Sequence, residues 1–257
     1  MANILDKIIA NKRREVESTI RLLGEEVGFD SVRETISMSR ALLDSPTGII
    51  AEFKRRSPSK GEIHPLALVG DVVPAYEDAG AAACSVLTDT VYFGGALSDL
   101  ATARTVSNLP LLRKDFIISR RQIAEARANG ADAVLLIAAA LTAGEVEDFT
   151  RYAHSLDLEV LFEIHNAGEL EKYSPEVDMV GVNNRDLTTF ATDPLLSERI
   201  ARELPPEVVK VAESGLTSIA EVMRLRDAGF RGFLIGETFM RENRPGEALR
   251  RFLNPAL

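Results

Sequence analysis

RQIAEARANGADAVLLI, residues 121–137, combines two patterns that together decide the fold. Its first part has apolar residues at three- and four-residue spacing, which predicts an amphipathic helix. Gly130 follows this helix and can adopt the left-handed conformation that ends one. The run AVLLI then predicts a strand that is buried on both faces, as strands of parallel sheets are. The stretch is therefore one helix–strand unit.

The same unit recurs along the chain. Eight such units fit a closed barrel, whereas an open doubly wound sheet usually has fewer strands and a G-x-G-x-x-G turn, which this sequence lacks. The predicted fold class is α/β, a (β/α)8 TIM barrel with an N-terminal helical extension. The eight predicted strands are Gly48–Phe53, Ala83–Leu87, Leu109–Leu112, Ala133–Ile137, Glu159–Glu163, Met179–Val182, Val208–Ala212 and Gly232–Ile235.

The first 46 residues contain no predicted strand. Amphipathic helices are predicted near Ile4–Leu22 and Val32–Leu43, and we expect them to cover one mouth of the barrel rather than to form a separate domain. The chain of 257 residues is therefore predicted to be a single domain, with the extension at 1–46 and the barrel at 47–257.

Composition excludes several classes of function. A net charge of -9 argues against general binding to nucleic acid or to an anionic membrane, since such binding depends on basic surface. Neither a membrane-spanning apolar run nor a signal-like N-terminus is evident, which predicts a cytoplasmic protein. Cys84 is the single cysteine and lies in an apolar run, which predicts a buried thiol. The three histidines lack ligand spacing, so neither a metal nor a cofactor is expected.

Charged residues are concentrated where the predicted strands end. Barrel enzymes carry their catalytic groups at the C-terminal ends of the strands. Alternation along the first strand sends Glu52 and Lys54 to the same side. Lys114, Glu163 and Glu213 converge there from other strands, and such charges are costly to bury unless they are paired or used. This pattern predicts a catalytic site of mixed charge.

Two further features suggest an anionic substrate. Ser214-Gly215 and Gly236-Glu237 follow the last two strands, where barrel loops commonly bind phosphate through backbone N–H groups. The basic segment KRRSPSKG, residues 54–61, follows the first strand. Its composition is compatible with a mobile lid, a phosphate clamp or a solvated loop.

The strand-end motifs resemble those of the indole-3-glycerol phosphate synthase family across nearly the whole chain. The opening ILDKIIANKRREVE is similar to that family's N-terminal helix. The resemblance implies an enzyme that converts 1-(2-carboxyphenylamino)-1-deoxyribulose 5-phosphate into indole-3-glycerol phosphate, carbon dioxide and water. The motifs, in chain order, are IAEFKRRSPSKG, SVLTDTVYFGG, LLRKDFI, FEIHN, GVNNRDL, AESGL and FLIGETFMR.

The resemblance also implies roles for individual residues. Lys114 matches the general acid that protonates the substrate ketone, and Glu163 matches the carboxylate of the later dehydration. Lys54 matches an anchor for an anionic group, and Glu52 and Asn183 match groups that orient the reacting centre. Glu213 and Ser214 complete the predicted catalytic set. The predicted substrate-binding set is Ser57 and Arg185 for the anthranilate carboxylate, Leu87 and Phe93 for the aromatic ring, and Ser214, Gly215, Gly236 and the Glu237 main chain for phosphate.

Thr90 and Val91 depart from the family pattern, which has acidic and lysine residues there. Two other interpretations stay open. One is a phosphate-binding barrel isomerase of tryptophan or histidine biosynthesis, which would rely on Asp paired with Cys or Asp. The other is a non-catalytic barrel that binds a phosphorylated metabolite. We expect a monofunctional monomer or weak homo-oligomer, and association with other tryptophan-pathway enzymes remains an alternative.

Overall fold

Eight parallel strands close into a barrel in the computed structural model, which describes residues 4–28, 33–186, 189–193 and 195–254. Around the barrel each strand pairs with the next one along the chain, and the last pairs back onto the first. The predicted fold class is confirmed. In chain order the strands are β1 (Ile49–Phe53), β2 (Arg56–Ser57), β3 (Gly61–Glu62), β4 (Ala83–Leu87), β5 (Leu111–Lys114), β6 (Ala133–Ile137), β7 (Glu159–Ile164), β8 (Met179–Asn183), β9 (Val209–Glu213) and β10 (Gly232–Ile235), of which β2 and β3 form a separate hairpin.

Helices connect the strands. Gly130 follows one of them with φ of 86°, as predicted, and Gly229 follows another with φ of 101°. Between β7 and β8 the connection is a 3-10 helix, Ala167–Lys172, and another covers Ala138–Ala140. The α-helices are α1 (Ile4–Leu23), α2 (Met38–Asp44), α3 (Val69–Ala79), α4 (Thr90–Phe93), α5 (Leu97–Val106), α6 (Arg120–Ala128), α7 (Ala143–Ser155), α8 (Leu196–Ile200), α9 (Ile219–Asp227), α10 (Glu237–Met240) and α11 (Pro245–Leu253). Within the described ranges, none of these helices is long and apolar enough to cross a membrane.

Most strands lie within a residue of the prediction, but the third was placed too early. It was predicted at Leu109–Leu112 and runs instead from Leu111 to Lys114. Pro110 has no N–H to give to the ladder, so regular pairing begins after it. The correction matters because it brings Lys114 into the strand, where it pairs in register with Leu87 of β4.

The barrel is packed on both faces of its strands, as the continuous apolar runs predicted. Side chains such as Ile50, Leu161 and Met179 fill the interior and are fully buried. Neighbours that point outward, such as Phe162 and Val180, pack against the helices. Because both faces are apolar, the acidic side chains of the barrel strands lie near the strand ends.

The N-terminal helices cover both mouths of the barrel, so the expectation of one covered mouth was wrong. Helix α2 lies at the N-terminal mouth, where the Ser39 N–H donates to Glu159 at the start of β7 over 2.8 Å. Helix α1 lies at the opposite mouth and buries Leu5 and Ile8. The two amphipathic helices therefore each cover part of one end. The second helix begins at Met38 rather than near Val32, a residue outside the described ranges.

A buried ammonium group fastens α1 to the barrel. Lys12 Nζ lies 2.9 Å from an Asp89 oxygen and 3.0 Å from an Asp115 oxygen, beyond the ends of β4 and β5. Burial would lower the pKa of Lys12, but Asp115 and Asp89 raise it above its ordinary value. Burial would likewise raise the pKa of Asp115, yet Arg113 and Lys12 hold it at about 2. Lys12 and Asp115 are therefore both ionised at neutral pH.

Replacing Lys12 with Met removes this charge and keeps most of the apolar stem. Asp89 then loses its buried cation, so we expect the free energy of unfolding to fall by about 3 kcal/mol in urea denaturation. Lys7→Met, on the exposed side of the same helix, is the matched control and should change stability by less than about 0.5 kcal/mol. Equal midpoints for Lys12→Met and the unmodified chain would contradict this account.

Candidate active site

A cavity of about 420 Å³ opens at the C-terminal mouth of the barrel. Helix α1 contributes Ile4, Leu5 and Ile8 to the wall of the cavity, and the sequence did not predict this contribution. Every predicted site residue lines this cavity, namely Glu52, Lys54, Ser57, Leu87, Phe93, Lys114, Glu163, Asn183, Arg185, Glu213, Ser214, Gly215, Gly236 and Glu237. The fold thus brings the whole predicted set together.

Two lysines and three carboxyl groups form the floor of the cavity. Lys114 Nζ lies 2.7 Å from an oxygen of Glu163 and 3.0 Å from one of Glu213. Lys54 Nζ lies 2.7 Å from Glu52, which confirms that these two side chains point to the same side. The three carboxyl groups are almost fully buried, so each depends on these contacts for its solvation.

Glycine makes room for two of these carboxyl groups. A Cβ on Gly181 of β8 would lie 2.2 Å from Glu213 Oε1, and one on Gly236 would lie 2.4 Å from Glu52 Oε1. Neither glycine is in the left-handed region, so the requirement is space and not backbone freedom. The sequence predicted Gly236 only as part of a phosphate loop and did not predict that it leaves room for Glu52.

The two carboxyl groups beside Lys114 have opposite pKa shifts. Burial raises the pKa of Glu213, Lys114 lowers it and Glu163 raises it, with the result near 8. Burial would also raise the pKa of Glu163, but Lys114 and His165 hold it well below its ordinary value. At neutral pH these shifts favour the protonated form of Glu213 and the ionised form of Glu163.

Asn183 links the floor to the loop after β8. Its Nδ2 donates to Glu163 Oε1 over 3.2 Å, and its Oδ1 accepts from the Arg185 backbone N–H over 3.0 Å. The Arg185 guanidinium donates to Ser59 Oγ over 2.9 Å. The hydroxyl of Ser57 lies 3.4 Å from that of Ser59. The predicted pair of Ser57 and Arg185 thus lines the same cavity and is linked through Ser59.

The opposite wall is apolar and aromatic. Phe93 faces Phe116, with 6.0 Å between ring centroids, and Leu87 lies beside them. Asp89 accepts hydrogen bonds from the Tyr92 and Phe93 backbone N–H groups and so begins α4. The Asp89 carboxylate, which binds Lys12, therefore also positions Phe93 in this wall. Phe116 was missed, although it follows the RKD motif directly.

The predicted phosphate loops form the end of the cavity near β9 and β10. Ser214 and Gly215 have φ of 66° and 78°, a consecutive left-handed pair that turns the backbone sharply. Glu237 begins α10, and the first N–H groups of a helix have no carbonyl partner within it. The Glu237 side chain contacts three cations, Lys60, Arg185 and Arg241, so this end has an excess of positive charge. Arg241 was missed, although its i,i+4 spacing from Glu237 was a signal.

The basic loop after β1 divides into structural and cavity-facing residues. Arg55 forms two hydrogen bonds with Asp99 of α5, at 2.6 and 2.9 Å. Arg56 donates to the backbone carbonyls of Thr90 and Val91. Because these acceptors belong to the main chain, the family departures at Thr90 and Val91 leave the Arg56 contacts intact. Lys54 and Lys60 line the cavity.

Comparison with known proteins gives the family. The family model described as indole-3-glycerol phosphate synthase matches residues 5–252. An indole-3-glycerol phosphate synthase from Bacteroides thetaiotaomicron is 52% identical over 98% of both chains, and one from Burkholderia ambifaria is 42% identical over 98% of this chain and 99% of the other. The chain belongs to the indole-3-glycerol phosphate synthase family.

Solved structures support the barrel architecture independently. The N-acetylmannosamine-6-phosphate 2-epimerase from Clostridium perfringens superimposes with a TM-score of 0.61 over 88% of this chain and 99% of that one, at 16% identity. A chain of the tryptophan synthase a2b2 complex from Pyrococcus furiosus gives 0.59 over 81% and 97%, also at 16%. Identities this low show the fold alone.

The raised pKa of Glu213 predicts how stability depends on pH. A carboxyl group whose pKa is higher in the folded state binds its proton more tightly there. Its contribution to the free energy of unfolding is therefore full below the ordinary pKa of glutamate and is lost as the pH rises towards about 8. Glu213→Gln removes this dependence. Urea unfolding should show the variant gaining stability relative to the unmodified chain between about pH 5 and pH 8.

Glu17→Gln, on the exposed side of α1, is the control and should follow the unmodified chain at every pH. A constant difference between Glu213→Gln and the unmodified chain across this range would show that Glu213 is ionised throughout.

Proposed function

We propose that the chain catalyses the ring closure, decarboxylation and dehydration of 1-(2-carboxyphenylamino)-1-deoxy-D-ribulose 5-phosphate to indole-3-glycerol phosphate, carbon dioxide and water, and so acts as a carboxy-lyase of tryptophan biosynthesis. The observation that carries this proposal is the position of Lys114. Its ammonium lies on the cavity floor between two carboxyl groups, with an aromatic wall on one side and the positively charged loop end on the other. A substrate with an aromatic ring and a phosphate fits that arrangement.

Lys114 is the proposed general acid. Its pKa is raised because Glu163, Glu213 and Glu52 outweigh the effect of burial, so it is charged at neutral pH. Attack of the aromatic carbon on the ketone places negative charge on the ketone oxygen. A nearby ammonium stabilises that charge first, and it gives up its proton when the oxygen becomes more basic than the amine.

Glu163 is the proposed base of the dehydration, since it remains ionised beside Lys114. Asn183 holds one of its oxygens, which supports an orienting role. Glu52 contacts Lys54 at the end of β1, where Lys54 would anchor an anionic group of the substrate. Glu213, in its protonated form, lets the floor hold Lys114 without excess negative charge.

The two ends of the substrate would be held by different chemistry. We propose that Arg185 and Ser57 bind the anthranilate carboxylate, since a guanidinium can meet a carboxylate through two parallel hydrogen bonds. Phe93 and Leu87 would contact the ring. Phosphate would lie against the backbone N–H groups of Ser214, Gly215, Gly236 and Glu237. The cations around the Glu237 side chain support this assignment, because they offset its charge.

The isomerase alternative has less support from the site. Its acid–base pair would be Asp with Cys or Asp, whereas the floor offers Lys and Glu. Cys84 is fully buried, and burial together with Glu52 raises the pKa of its thiol. A buried neutral thiol is a poor acid–base catalyst.

We further propose that residues 1–46 and 47–257 act as one domain, because α1 supplies part of the cavity wall. As a biosynthetic lyase with a single buried thiol, the enzyme is proposed to work in the cytoplasm. A monomer or weak homo-oligomer is proposed, and association with other enzymes of the tryptophan pathway remains an alternative.

Lys114→Met tests the proposed reaction. Formation of the indole product is followed by its fluorescence, and kcat should fall by about 1,000-fold because the acid is lost. Calorimetry should show that indole-3-glycerol phosphate still binds, since its phosphate contacts are untouched. Lys7→Met is the control and should retain full activity. Undiminished turnover in Lys114→Met would refute the role of Lys114, and an unmodified chain that forms no indole product would refute the function.

A further inference from the structure

His165 lies beside the cavity floor, where its side chain approaches Glu163. It follows β7 directly, and its side chain is 9% exposed. Its Nε2 lies 3.2 Å from Glu163 Oε1 and its Nδ1 lies 3.5 Å from Glu169 Oε2. These are ion-pair distances rather than well-aligned hydrogen bonds. His165 does not line the cavity, so its route to the substrate is through Glu163.

Glu163 is approached by charge from two directions. Lys114 of β5 contacts Oε2, and His165 contacts Oε1. Asn183 of β8 donates to Oε1, and Glu213 of β9 is the neighbouring acid. On the β6 side the register partner is the apolar Ile137. Burial disfavours the Glu163 carboxylate, whereas Lys114 and His165 favour it.

The proposed reaction uses the two cations unequally. Lys114 gives up its proton during ring closure, and at that moment it stops stabilising the Glu163 carboxylate. Glu163 must still be ionised afterwards to act as the base of the dehydration. A second cation that takes no part in the proton transfer would keep it so.

We propose that His165 is a positioning residue that holds Glu163 ionised and aimed into the cavity after Lys114 has given up its proton. This inference rests on the proposed roles of Lys114 and Glu163. Glu169 holds His165 in turn, because its Oε2 also accepts from the His165 backbone N–H over 2.7 Å. Burial would lower the pKa of His165, but Glu163 and Glu169 raise it to about 10, which makes the ring a cation at neutral pH.

His165→Gln tests this role, since glutamine keeps a polar side chain of similar reach and removes the charge. The pKa of Glu163 should rise, so the acid limb of the pH–rate profile for indole formation should move to higher pH by about one pH unit. At high pH, where Glu163 ionises unaided, kcat should return to within about threefold of the unmodified chain. A purely structural role would instead lower the rate equally at every pH.

His154→Gln is the matched control. His154 pairs with Asp178 over 3.0 Å on the outside of the barrel, so its loss should leave the profile in place. Glu169→Gln provides a second variant that does not alter the ring itself, and its acid limb should move in the same direction by a smaller amount. If His165→Gln does not fold, Glu169→Gln alone tests the proposal.

An acid limb at the same pH in both variants, or a loss of rate that is independent of pH, would overturn the proposal. These outcomes differ from failure of the proposed function. In that case the unmodified chain would form no indole product, whereas failure of this inference leaves the unmodified chain fully active.

Discussion

The contact of the Lys114 ammonium with the carboxyl groups of Glu163 and Glu213 is the interaction on which the site depends. Its three members come from β5, β7 and β9, which meet only because the barrel is closed. Buried charge of this kind is stable when the signs balance. Burial favours the protonated form of Glu213, so Lys114 faces one carboxylate, Glu163, and one neutral carboxyl group.

The surroundings of this pair are arranged to hold it. Gly181 and Gly236 leave the space that two carboxyl groups fill, and a methyl group at either position would displace them. Helix α1 covers the mouth and is fastened by Lys12, whose partner Asp89 also places the aromatic wall. Stability and substrate recognition therefore share residues at this end of the barrel, in contrast to the opposite mouth, where α2 serves packing.

Much of this arrangement could be predicted from the sequence because it is carried by local patterns. Continuous apolar runs predict strands buried on both sides, and the residue that closes each run lies at the mouth, so all the predicted site residues meet in one cavity. The third strand was predicted to begin two residues too early, because regular pairing begins only after Pro110. Phe116 was missed because its partner Phe93 is distant in sequence, and Arg241 because its contact with Glu237 depends on a helix turn. His165 was missed because histidines were considered only as metal ligands.

The charge state of the floor is the central claim, and infrared spectroscopy measures it directly. A protonated carboxyl group absorbs at a frequency where a carboxylate does not. At about pH 6.5 the difference spectrum between the unmodified chain and Glu213→Gln should show the loss of one band from a buried, protonated carboxyl group, and Glu163→Gln should retain that band. A spectrum in which Glu213→Gln removes only carboxylate absorption would contradict the account.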